Sequence, residues 1–163
     1  MDKSITLIGM PGCGKTTIGK LLSNKLNYQF IDIDSYIEEK QGKTIDEIFK
    51  NGEEYFRNIE TEACRELGEI KNSIISSGGG VVKRYINIEY LKRESIVIFI
   101  DRHLIQILND IDIKKRPLLA NGKEVLYKLY DERYELYKKY CDYRIKNIGS
   151  LEEVIDKMLK IIK

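Results

Sequence analysis

The stretch Gly9-Met10-Pro11-Gly12-Cys13-Gly14-Lys15-Thr16 fits the pattern G-x-x-x-x-G-K-[ST]. It follows a short apolar run, Ile5 to Ile8, that reads as a buried strand. It precedes Ile18, Leu21, Leu22 and Leu26, which recur at helical spacing. Strand, glycine-rich loop and helix form the context in which this motif turns successive backbone N–H groups inward on an anion. The helix N-terminus adds its positive dipole end. In this reading Gly12, Cys13, Gly14, Lys15, Thr16 and Thr17 cradle nucleotide phosphates. Lys15 supplies a point charge to the β and γ phosphates, and the Thr16 hydroxyl can ligate Mg²⁺. The bland alternative is a glycine-rich turn capping a helix, and the full motif in its proper context outweighs it. Cys13 reads as a small loop residue rather than a redox switch.

Outward from this loop, strands and helices alternate. Phe30, Ile31 and Ile33 suggest a second strand broken by Asp32 and Asp34. Short helices are expected over 36–40 and 45–50, separated by Gly42, with Thr44 and Glu47 as a capping box. A longer helix runs from Glu53 to Leu67 and ends near Gly68. Residues 73–76 form a third strand ahead of Gly78-Gly79-Gly80, and the unbroken apolar run 96–100 a fourth. Helices are expected over 103–108, 125–140 and 151–162, with a fifth strand at 143–145. The fold class is therefore α/β: a parallel sheet covered by helices on both faces. Ligands of such sheets sit beyond the carboxyl ends of the strands. Gly9, the Asp32/Asp34 pair, Gly78–Gly80 and Asp101 all fall there.

Composition narrows the function. The 163 residues suit one domain spanning 1–163, and 28 basic against 26 acidic residues give a net charge of +2. That balance argues against a nucleic-acid partner. No apolar run approaches a membrane span, and Met1-Asp2-Lys3-Ser4 shows no signal-peptide architecture. Three cysteines at wide spacing form no disulfide framework, so a cytoplasmic location is expected. A single histidine, His103, leaves little material for a histidine metal site or a Ser-His-Asp triad.

Asp32 and Asp34, at i and i+2, would share one face of an extended strand. Two carboxylates facing a phosphate loop suggest divided labour: one holds Mg²⁺, the other accepts a proton from an acceptor hydroxyl. The competing role is structural, with Asp34 capping a helix that begins at Tyr36.

The larger pattern is Phe30-Ile31-Asp32-Ile33-Asp34, Gly52-Glu53, Phe56-Arg57 with Glu60, Ser77-Gly78-Gly79-Gly80-Val81-Val82, Arg116-Pro117-Leu118-Leu119, and Glu132-Arg133 with Tyr137. In order and spacing it closely resembles shikimate kinase from Ser4 to about Ile162. The resemblance implies a five-stranded P-loop kinase of three α/β/α layers. It implies a helical acceptor-binding insert at about 33–61 and a mobile lid at about 110–123. It implies transfer of a phosphoryl group from MgATP to the 3-hydroxyl of shikimate by a cytoplasmic monomer. Carried over by position, Asp32 is the magnesium-associated aspartate. Asp34 binds shikimate hydroxyls and is the candidate base. Arg57 and Arg133 hold the shikimate carboxylate, Gly79 offers a backbone contact, and Arg116 reaches the nucleotide phosphates.

The residues themselves agree. A small anionic acid needs fixed cations, and a guanidinium pairs bidentately with a carboxylate. Arg57 could also pair with Glu60 at i,i+3. Arg133, by spacing alone, reads as an exposed helical charge between Glu132 and Glu135. Lys114 and Lys115 would steer anions. One departure stands out: family members often carry an adenine-stacking arginine seven residues before the lid arginine, where this chain has Asn109. The 146–150 loop also differs from the usual pattern, so adenine contacts are not carried over. Two rivals are another small-acid P-loop kinase, such as a gluconate kinase, and a catalytically silent nucleotide-dependent regulatory protein. The triple glycine with R-P-L-L argues against the first. Lys15, Asp32, Asp34, Arg57, Arg116 and Arg133 together argue against the second.

Overall fold

A computed structural model describes residues 2–110 and 122–163. Five parallel strands make one sheet in the order β2-β3-β1-β4-β5. They are β1 (Ser4–Ile8), β2 (Gln29–Asp32), β3 (Ser73–Ser76), β4 (Ser95–Asp101) and β5 (Tyr143–Lys146). β1 lies at the centre with all five residues buried, pairing Ile5 with Ile74 on one side and Ile96 on the other. A strand flanked on both edges and both faces has no solvated side, so it reads as a continuous apolar run. Its one polar interior residue, Thr6, is satisfied by the Ser95 hydroxyl at 2.8 Å.

Eight helices connect and cover the described strands. α1 (Lys15–Leu26) returns the chain from β1 to β2. α2 (Ile33–Gln41), α3 (Ile45–Phe49) and α4 (Glu53–Leu67) follow β2, and α5 (Tyr85–Leu91) follows β3. α6 (Leu104–Asp110) leaves β4, α7 (Lys123–Tyr140) leads into β5, and α8 (Leu151–Ile162) closes the chain. α8 shows why packing selects these helices. Ser150 and Glu153 form its capping box, and Val154, Ile155, Met158 and Ile162 bury one stripe. Each such side chain contributes roughly 1.5–3 kcal/mol on removal from water.

The topology fixes the site. β1 and β3 are neighbours, yet β1 continues toward β2 at one edge and β3 toward β4 on the other side. Their carboxyl ends flank a switch point, where the crevice of such sheets opens. Gly9 and Ser77 begin the two loops that line it.

Two readings change. The second strand stops at Asp32 rather than running through Ile33, because the Asp32 carboxylate accepts the Ser35 N–H at 2.9 Å and starts α2. Asp32 and Asp34 therefore straddle a strand–helix junction instead of sharing a strand face. Asp32, not Asp34, is the helix cap. α5 was not legible: Ile88 and Leu91 are its buried apolar residues, and the Asn87 amide donates to the Val81 carbonyl at 3.0 Å. The expected lid, with Lys114, Lys115 and Arg116, lies outside the described residues over 111–121.

Candidate active site

A cleft of about 690 Å³ opens at the switch point. Its floor is the phosphate loop, with Gly12, Gly14, Lys15, Thr16 and Thr17 on its lining. One wall carries Asp32, Asp34 and Ser76 through Gly79, and the other carries Arg102, Ile107 and Asp110. The loop keeps its shape through local constraints. Gly14 caps α1 at φ 105°, where a side chain would be strained and a Cβ would lie 2.9 Å from the Asn147 amide. That same amide donates to the Cys13 carbonyl at 2.9 Å. Cys13 itself is fully buried.

Lys15 is buried and folded onto its own loop. Its Nζ donates to the carbonyls of Gly9 (2.7 Å) and Met10 (3.0 Å) and lies 3.6 Å from Cys13 Sγ. Thr16 and Thr17 are exposed to the cleft. The amides at the start of α1 have no intrahelical acceptors, so the floor is an anion receptor.

Asp34 sits in the first turn of α2, facing the triple-glycine loop. Burial, followed by the nearby negative charges of Asp32, Glu60 and Glu38, raises its pKa to about 6, against an opposing pull from Lys15. A carboxylate so placed is charged at neutral pH yet more basic than a free one, as suits proton acceptance.

Arg57 and Arg133 arrive from different helices. Arg57 on α4 is buried and donates from Nη1 to Glu60 Oε1 at 2.8 Å and from Nε to Glu53 Oε1 at 3.4 Å. Burial drives the Glu60 carboxyl upward, and Arg57 opposes that shift. The guanidinium crosses the space a side chain at Gly80 would need: a Cβ there would run into it. Arg133 on α7 is also buried, in contrast to the exposed charge its spacing suggested, and its Nε has no hydrogen-bond partner among the described residues. Its Nη1 lies 3.3 Å from where a Gly79 Cβ would stand. The two arginines thus converge on the triple-glycine loop. A buried guanidinium with an unused N–H is a receptor for an anion.

Three further residues complete the site: Glu60 pairs with Arg57 as its i,i+3 spacing allowed, Tyr137 stood in the pattern beside Arg133, and only Arg102 was not legible. Glu60 is almost fully buried and shares an oxygen with Arg57. Tyr137 is buried, hydrogen-bonds Arg133, stacks on Phe99 and donates its hydroxyl to the Gly79 carbonyl. Its place four residues after Arg133, one helical turn, was the available signal. Arg102 enters from the end of β4 and donates to the Gly12 carbonyl at 3.1 Å. Phe56 is buried, and Phe49, partly exposed, stacks on it at 4.4 Å. His103 is exposed, and its Nδ1 accepts the Ile105 N–H at 3.3 Å as a local helix cap.

Comparisons with known proteins agree with this geometry. The family model for shikimate kinase matches residues 11–163. Shikimate kinases of Clostridium botulinum and Clostridium beijerinckii are 54% and 52% identical to the chain over 162 residues. The match covers 99% of the chain in both cases and 98% and 96% of those proteins. Among solved structures, shikimate kinase from Acinetobacter baumannii in complex with shikimate superposes with a TM-score of 0.89 at 36% identity. It covers 98% of this chain and 92% of that one. Shikimate kinase from Bacteroides thetaiotaomicron gives a TM-score of 0.90 at 30% identity, covering 99% of both chains.

Proposed function

The chain belongs to the shikimate kinase family, and from that premise we propose how its own residues transfer the γ-phosphoryl group of ATP to the 3-hydroxyl of shikimate, giving ADP and shikimate 3-phosphate. The observation that carries the reading is that one cleft sets a phosphate loop opposite Asp34 and the Gly78-Gly79 wall, and that the buried Arg57 and Arg133 pack against the same triple-glycine loop.

The triphosphate lies along Gly12–Thr17. Lys15 leaves the carbonyls of Gly9 and Met10 for the β and γ phosphates. Shikimate enters on the other wall, its carboxylate between Arg57 and Arg133 and its ring beside Gly79. Asp34 faces the hydroxyls. The 3-hydroxyl oxygen forms the new bond to phosphorus as the bond to the β-phosphate oxygen breaks, and Asp34 accepts the hydroxyl proton. Holding both partners in line supplies much of the acceleration, because phosphoryl transfer needs positioning and charge stabilisation more than covalent help. Arg116, outside the described residues, is assigned by resemblance to the transferring phosphoryl group, within a lid of about 110–123. Residues of about 33–61 serve as the acceptor-binding insert. The reading takes the enzyme as a monomer.

Magnesium fits the donors present. Thr16 is exposed to the cleft, and Asp32 spends Oδ1 on the Ser35 amide, leaving its second oxygen available. Among the described residues no three His, Cys, Asp or Glu side chains form a metal cage. Mg²⁺ is commonly held by one or two protein oxygens plus substrate phosphates and water, which matches Thr16 and Asp32. When bound, the ion would neutralise charge on the β and γ oxygens. No helix among the described residues is long and apolar enough to cross a membrane, and the reading places the enzyme in the cytoplasm.

ADP release from MgATP, measured with and without shikimate, tests the reading. Shikimate-dependent release, strongly reduced in Asp34→Asn, is the expected result. MgATP binding with no stimulation by shikimate would overturn it.

A further inference from the structure

Among the described residues, two cations and three carboxylates line the cleft: Lys15 and Arg102 against Asp32, Asp34 and Asp110. A nucleotide triphosphate adds further negative charge, so the cations' partners matter. Lys15 is occupied by loop carbonyls. Arg102 is occupied twice: Nη1 donates to the Gly12 carbonyl at 3.1 Å, and Nη2 pairs with the Asp110 carboxylate. Its side chain is 22% exposed, whereas that of Asp110 is 61% exposed. The cation is thus fixed against the phosphate loop, and its partner is a solvated carboxylate at the end of α6.

The two contacts differ in what an arriving anion does to them. The Gly12 carbonyl is neutral and belongs to the loop, so that bond can persist. Asp110 lines the same cleft as the incoming phosphates, and like charges in a shared, partly desolvated space repel. A phosphate oxygen offers Arg102 a comparable charge-assisted acceptor and matches the guanidinium fork. The solvated carboxylate is therefore the partner that is exchanged.

We propose that Arg102 is a nucleotide-phosphate residue of this chain, anchored through the Gly12 carbonyl and paired with Asp110, whose carboxylate it exchanges for a phosphate oxygen when the nucleotide binds. The proposal deepens the nucleotide-site reading above and rests on it. Arg102 is held by its own loop contact and adds a second fixed cation beside Lys15. Asp110 acts as a resident counter-anion that competes with the nucleotide.

Equilibrium binding of ATP, inorganic tripolyphosphate and shikimate to the full chain, wild type against Arg102→Gln, Arg102→Lys and Asp110→Asn, tests it. Arg102→Gln is expected to weaken ATP and tripolyphosphate alike by about tenfold, the scale of one charge-assisted hydrogen bond. Shikimate affinity should stay within twofold. Arg102→Lys should fall between Arg102→Gln and wild type. Asp110→Asn should bind both phosphate ligands about threefold more tightly, because a competing anion is gone. Unchanged ATP affinity in Arg102→Gln overturns the proposal. So does loss of ATP affinity without loss of tripolyphosphate affinity, which would place the contact on base or ribose. A parallel loss of shikimate affinity overturns it too, by marking the effect as general distortion. If Arg102→Gln does not fold, unchanged or weakened phosphate binding in Asp110→Asn is sufficient to overturn it. A wild-type chain that binds no ATP contradicts the nucleotide reading itself, a result distinct from all of these.

Discussion

Arg57 donates from Nη1 to Glu60 Oε1 at 2.8 Å, with 10% and 1% of their side chains exposed. A buried pair of this kind makes little net contribution to stability, but breaking it leaves an uncompensated charge. In the proposed reading its role is geometric: Glu60 aims the Arg57 guanidinium at the glycine loop, where that reading puts the shikimate carboxylate. Glu60→Ala should destabilise the fold by about 3 kcal/mol and raise KM for shikimate by about tenfold, leaving KM for ATP near wild type. Denaturant melts and initial rates check both. Glu60→Gln keeps the hydrogen bond and should restore part of the affinity.

Arg133 is the other half of the proposed carboxylate clamp. Arg133→Ala should raise KM for shikimate by at least tenfold, because a charge-assisted fork is lost from a desolvated site. Some stability should be lost as well, since the buried guanidinium also hydrogen-bonds the Tyr137 side chain. A matched rise in KM for ATP would place Arg133 elsewhere in the reaction.

Space, rather than charge, governs Gly80. A Cβ at this position would enter the Arg57 guanidinium. Gly80→Ala should therefore displace Arg57 and weaken shikimate binding by roughly tenfold, the cost of one lost charge-assisted hydrogen bond. Adding a single carbon to a glycine usually stabilises or is neutral where the backbone allows it, so a loss confined to shikimate affinity isolates the clash. Shikimate titrations of the variant read it directly.

The strands, the phosphate loop and most helix limits were legible because they rest on local signals. Gly14-Lys15 opens α1, Thr44 with Glu47 caps α3, and Gly68 ends α4. What was not legible depends on contacts between distant segments. Arg133 looks exposed from Glu132 and Glu135 alone, and only the packing of α7 against the triple-glycine loop buries it. Arg102 gives no periodic signal, and its meaning comes from Gly12, 90 positions away. The D-x-D stretch misled for a different reason. Alternation favours a strand, but the Asp32 side chain competes for the Ser35 amide and ends it.

The raised Asp34 pKa gives a pH profile with a defined sign. Its folded value of about 6 lies above its ordinary 3.8, so the folded chain holds this proton more tightly than the unfolded one. Its contribution to stability is full below about pH 4 and is lost as pH rises through about 6. Asp34→Asn should remove that loss. The variant should gain on the order of 2 kcal/mol over wild type between pH 4 and pH 7, as measured by chemical denaturation. Glu60, which burial also pushes upward, acts in the same direction and is present in both chains. Activity should run the opposite way: kcat/KM for shikimate in the wild type should rise as Asp34 ionises through about pH 6.

The central claim is that this cleft moves a phosphoryl group onto shikimate. The most direct measurement follows ATP labelled at its γ-phosphoryl group, incubated with the chain, magnesium and shikimate, and separates the products. The account predicts label on shikimate as a monophosphate, one for each ADP formed, with little label in inorganic phosphate and little transfer by Asp34→Asn. Label appearing only as inorganic phosphate, or no ADP formed in the presence of shikimate, would contradict it.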